Sequence, residues 1–129
     1  MKTKHLIILI LLVTLQLSCG DENKTTNNID ITGSFQKLIP ATDTRPGKIV
    51  LYEIKHIDAE LYSLETSSKS LDKNSEFTKN LYLELEYRPE NRILRASSAI
   101  GSGSFQFSDD YNSIKELGSD SKVPYVRID

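Results

Sequence analysis

The chain is poor in the residues that staple or bulk out a small fold. Among its 129 residues there are one cysteine, one methionine, two histidines and no tryptophan. A single cysteine excludes an intramolecular disulfide, so packing and hydrogen bonds alone must hold whatever folds here. The longest apolar stretch, Leu6 to Leu17, is interrupted by Thr14 and Gln16. As a helix rising about 1.5 Å per residue it reaches roughly 18 Å, short of a hydrocarbon core of roughly 30 Å, which argues against a permanent transmembrane helix. Positive charge is not in excess either, with 16 basic side chains against 18 acidic ones. No basic stripe exists to follow a phosphate backbone or a layer of anionic headgroups, so nucleic acid is not an expected partner. No self-similarity at solenoid period is present.

What is present at the front of the chain is a three-part leader. Met1-Lys-Thr-Lys-His5 is basic, Leu6 to Val13 is apolar, and Thr14-Leu-Gln-Leu-Ser-Cys19-Gly20 is the exit. That layout belongs to a secretory signal. With Leu15, Leu17 and Ser18 ahead of Cys19, the segment resembles the precursor of a bacterial lipoprotein. Gln16 stands where the usual lipobox prefers Leu, and Leu17 where it prefers a small residue, a relaxation found in some Gram-negative groups. The resemblance implies cleavage before Cys19 and fatty acylation of its sulfur, which would make the membrane a partner. The chemistry is consistent, because a lone thiol in an oxidising compartment invites unwanted disulfides and acylation removes it. Each buried lipid CH₂ contributes about 0.8 kcal/mol, so several chains hold permanently.

This reading divides the chain into a signal peptide (1–18), a tether (19–30) and one domain (31–129). Loss of Lys2 and Lys4 with the signal moves the formal net charge from −2 to −4. Residues 20–30 are polar and without apolar periodicity, as a flexible spacer would be. Asp21 and Glu22 resemble the acidic export signals that route some Gram-negative lipoproteins to the outer face of the outer membrane.

The remainder reads as strands. Ile31, Gly33, Phe35 and Ile39 share one parity. Val50, Tyr52 and Ile54 form a second face, and Tyr62 and Leu64 a third. Matching buried faces across a loop at 57–59 predicts Ile54 opposite Tyr62, Tyr52 opposite Leu64 and Val50 opposite Thr66. Residues 67–79 read as a long polar connector anchored by Leu71 and Phe77. Leu81, Leu83, Leu85 and Tyr87 then alternate strictly with Tyr82, Glu84, Glu86 and Arg88, which is a half-buried antiparallel strand. Turning at Pro89 to Arg92 predicts Tyr87 opposite Leu94, Leu85 opposite Ala96 and Leu83 opposite Ser98. Phe105 and Phe107 mark a further strand. The spacing of Tyr111, Ile114 and Leu117 fits either a short helix or an irregular strand, the latter preferred. Val123 to Ile128 closes the domain. The expected fold is all-β, an antiparallel up-and-down meander of about seven or eight strands, whose closure into a small barrel would remove exposed edges.

Such a chain looks like a small lipocalin-like barrel. The likeness rests on Gly33-Ser-Phe35 in the first strand and Arg127 in the last, with Phe35 where that family has Trp. It implies that Phe35 and Arg127 pack together as a barrel-closing pair, guanidinium over ring.

A catalytic set is harder to find. His56 is the only histidine after the leader, and neither a zinc site nor a histidine-based triad can be assembled round it. Asp109, Asp110 and Glu116 lack the spaced oxygens and central glycine of a calcium loop. Glu84 and Glu86 point the same way along one strand, unlike the opposed carboxylates of a glycosidase. The expectation is therefore a protein that is not an enzyme, with no metal and no cofactor. Tyr52, Tyr62 and Tyr87, with His56 at the rim, are the candidate pocket, since tyrosine joins apolar area to a hydroxyl. The functional expectation is a lipid-anchored, non-catalytic binding or accessory module of the cell envelope. The alternatives are a barrel holding a small apolar ligand, or an inhibitor or immunity protein that presents residues 67–79 to an envelope enzyme.

Overall fold

The computed structural model describes residues 29–72, 74–96 and 103–129. The expected signal peptide, Cys19, Asp21, Glu22, nearly all of the expected tether and the expected Ser98 pairing lie outside the described residues.

Eight antiparallel strands follow one another round a closed barrel. They are β1 (Gly33–Ile39), β2 (Lys48–Asp58), β3 (Leu61–Ser70), β4 (Thr78–Arg88), β5 (Ile93–Ala96), β6 (Ser104–Phe107), β7 (Ser113–Glu116) and β8 (Tyr125–Arg127). Each strand pairs with the next, and β8 returns to β1 through Phe35 opposite Arg127 and Gln36 opposite Val126. Closure satisfies edges that a linear meander would leave open.

Strand alternation sends one parity inward. Phe35, Tyr52, Ile54, Leu64, Leu85, Tyr87, Leu94, Phe105, Phe107, Ile114 and Tyr125 form a single buried cluster, with Ile31 plugging it from below β1. Burying each such side chain contributes about 1.5–3 kcal/mol before the entropy of ordering is charged against it. The outward parity of β2–β4 carries Glu53, Lys55, Glu65, Glu84 and Glu86.

Three details depart from the expectation. The β2–β3 hairpin pairs Ile54 with Leu64, Tyr52 with Thr66 and Val50 with Ser68, two residues away from the predicted register. The cause is the turn: β2 continues through a bulge to Asp58, and the chain reverses over Ala59 and Glu60, with Ala59 at φ 43°. A slip of two residues keeps every side chain on its own face, so the face assignment is preserved. Second, the 67–79 connector shrinks to 71–77, because β3 runs to Ser70 and β4 begins at Thr78. Side chains stitch this added length across the strands, Lys79 to Glu65 and Asn80 to Ser68. Third, Leu81 sits level with Thr66 on this polar extension and is 51% exposed, although it shares the parity of Leu85. The β4–β5 register is as expected where described, with Tyr87 opposite Leu94 and Leu85 opposite Ala96. Within the 111–117 segment Ser113–Glu116 is strand, entered through a turn with Tyr111 at φ 59°.

Candidate functional site

The two ends of the barrel are built differently. One end holds the start of β1, the β2–β3 turn and the end of β8. There the Phe35–Arg127 cross-strand pair sets the guanidinium carbon 4.7 Å from the Phe35 ring centroid. Arg127 Nη1 donates to the Thr32 carbonyl at 2.7 Å, and Nε donates to the Tyr111 carbonyl at 3.2 Å. Asp129 lies 3.7 Å from Nη1 and accepts the Ser34 N–H at 2.7 Å. Gly33 makes this crossing possible. It sits at φ +138°, and a Cβ there would lie 2.6 Å from Arg127 Nη1, so any side chain would be both strained and in collision.

Aromatic rings fill the space beneath. Phe107 meets Phe35 at 5.8 Å, Tyr87 at 6.2 Å and Tyr111 at 5.6 Å between centroids. Tyr87 continues edge-on to Tyr62, and Tyr62 edge-on to His56. The Tyr87 and Tyr111 hydroxyls are 3.1 Å apart. Burial, followed by the bond to Tyr111, pushes the Tyr87 phenol well above its ordinary value. Pairs in these edge-to-face geometries are worth about 0.5–1.5 kcal/mol beyond the area they bury. This end is a plug.

The four side chains named from the sequence as a pocket are not gathered round one space. His56 and Tyr62 border a shallow hollow of about 590 Å³ outside the plug, with Ile29, Asp30, Thr32 and Ala59. His56 Nε2 lies 2.9 Å from the Ala59 carbonyl oxygen. Two hydrogen bonds from Thr32 hold the Asp30 carboxyl below its usual value. Tyr87 lies within the plug, and Tyr52 belongs to a separate stack. The Tyr52 ring lies 3.8 Å from that of Tyr125, with 18° between their planes, and meets Phe105 edge-on at 5.7 Å. Burial raises the phenols of Tyr52 and Tyr125.

Above that stack is the mouth. The β1–β8 ladder ends at Gln36 and Val126, and beyond it Pro124 has no N–H to offer. The strands part there and leave a lateral cleft of about 390 Å³ between Lys37–Pro40 and the 116–125 segment. Lys37, Ile39, Glu116 and Tyr125 reach it from the inward parity of their strands, and Ser119, Ser121 and Val123 complete it. Lys37 Nζ donates to Ser121 Oγ and lies 5.2 Å from the Tyr125 ring centroid. An ammonium has three donors, so hydrogen-bonding capacity remains.

Lys37, Ser121 and Tyr125 were not among the residues singled out from the sequence, and Glu116 was considered there only beside Asp109 and Asp110 as a calcium ligand. One signal was available: Lys37 shares its parity with Phe35 and Ile39, a charge in a row that otherwise points inward. The mouth offers a cation, a carboxylate, two serine hydroxyls, a phenol and apolar walls, a set suited to recognition. The one described histidine is at the opposite end. Among the described residues no three His, Cys, Asp or Glu side chains converge as metal ligands. Comparison of the chain with family models, with characterised proteins and with solved structures found no match.

Proposed function

We propose that this protein is a lipid-anchored envelope lipoprotein whose lipocalin-like barrel serves as a non-catalytic binding or accessory module. In this reading Cys19 carries the acyl chains, residues 19–30 form the tether, and Asp21 and Glu22 direct the protein to the outer membrane and its surface. One observation carries the orientation: the chain enters the barrel at Ile31 and Gly33, beside the Arg127 plug, while the cleft lies at the far end of β1. An anchor at the front of the chain would therefore hold the plug towards the bilayer and aim the mouth away from it.

The ring-filled lower barrel favours a ligand or partner at the mouth over an apolar molecule enclosed within. The test of the anchor is membrane fractionation with intact-mass analysis. Wild type is expected in the membrane fraction with fatty acyl mass at its N-terminus, and Cys19→Ala in the soluble fraction. A Cys19→Ala variant retained in the membrane overturns the anchor.

A further inference from the structure

The mouth cleft has a charge arrangement that selects among ligands. Its wall at β1 carries the Lys37 ammonium, and its wall at β7 carries the Glu116 carboxylate. The two make no direct ion pair among the described residues, since the Lys37 hydrogen bond goes to Ser121 instead. A simple anion would satisfy Lys37 and face Glu116; a simple cation would do the reverse. A molecule carrying both charges satisfies both walls. Between them lie Ile39, Val123 and the Tyr125 ring, an apolar floor for an uncharged body. The volume of about 390 Å³ is near the lower limit for small-molecule sites, about 300–1,000 Å³, and suits a compact ligand rather than a long acyl chain.

We infer that the cleft between β1 and the 116–125 segment binds a small zwitterion with an apolar body, of the amino acid or dipeptide class. Its carboxylate is taken by Lys37 and Ser121, and its ammonium by Glu116. This rests on the reading of the barrel as a binding module and names the ligand that module takes. Lys37 and Glu116 then act as a matched pair of clamps. Removing either charge from the ligand, or its partner from the protein, costs the same contact.

The probe is the dipeptide Leu-Phe with both termini free, titrated into the full chain and followed by amide shifts of Ser121, Val123 and Tyr125. The N-acetylated and C-amidated forms are titrated alongside. Saturable shifts are expected for the free dipeptide, with about tenfold weaker binding for each blocked form, as loss of one charge-assisted contact predicts. Lys37→Met is expected to weaken the free dipeptide by about tenfold and leave the amidated one unchanged; Glu116→Gln does the same with respect to the N-acetylated form. No saturable shift up to about 10 mM, or equal affinity for free and blocked forms, overturns the inference. The ligand series on wild type decides even if a variant fails to fold. A failed titration leaves the anchor intact, and a membrane-bound Cys19→Ala variant leaves the titration intact, so the two readings fail separately.

Discussion

Two cations enter the barrel from neighbouring strands, and each lies over an aromatic ring. Arg127 is over Phe35 at 4.7 Å and Lys37 over Tyr125 at 5.2 Å. Their surroundings differ. Arg127 spends its planar fork on two backbone carbonyls and on the nearby Asp129, at the end where the rings interlock. Lys37 spends one bond on a serine, in a cleft where the strands have already parted. A guanidinium locked by carbonyls behaves as part of the scaffold, whereas an ammonium with spare donors is available to a ligand. One fold thus uses the same kind of contact for stability at one end and for recognition at the other.

The sharpest way to break that contrast is to empty the plug. Phe35 is fully buried, and Phe35→Ala should destabilise the protein by about 3–5 kcal/mol in urea unfolding, through lost transfer energy and the cavity left behind. A loss near that of an ordinary surface substitution would show that the Arg127 end is not the structural one.

Alkaline pH probes both ends at once. The Tyr87 and Tyr52 phenols have folded values raised above the ordinary 10.0. Above that pH the unfolded chain releases protons that the folded chain keeps. The contribution of these phenols should be constant below about pH 10 and fall above it, by up to about 1.4 kcal/mol per pH unit for each phenol. Unfolding curves between about pH 9 and pH 11.5 should show this decline, and Tyr87→Phe or Tyr52→Phe should each make it shallower. An unchanged slope in either variant would mean that its phenol is wet.

The smallest effect is expected at the mouth. Lys37→Met and Glu116→Gln should each shift unfolding stability by no more than about 0.5 kcal/mol, because neither removes a buried contact of the core. A loss of more than about 2 kcal/mol from either would move the cleft into the scaffold and erase the difference between the ends.

The sequence makes one end far more legible than the other. Strict alternation from Leu81 to Arg88 identifies β4, because a half-buried strand writes its two environments into successive residues. The Phe35–Arg127 pair was legible only through the resemblance to lipocalin-like barrels, which implies such a contact between the first strand and the last. The hairpin register could not, since its turn places Ala59 at positive φ without the Asn or Gly that usually announces such a turn. The extension of β3 through Ser67–Ser70 was hidden for another reason. A strand wetted on both faces has no apolar row, so its hydroxyl-rich sequence looks like loop. The mouth was illegible because it forms from the separation of β1 and β8, a property of register that no single segment encodes.

The short seam between β1 and β8 also fixes when the structure can be finished. Ser34 is held by Asp129, a partner 95 residues later in the chain. As the chain emerges from its ribosome, β1 to β7 can zip up in order, each strand on its predecessor. The first strand nevertheless keeps a bare side until residues 125–129 arrive. Such a long loop makes this the entropically dearest contact and a natural final step. The same few residues that seat the arginine complete the circle, so the barrel gains its plug and loses its open edge together.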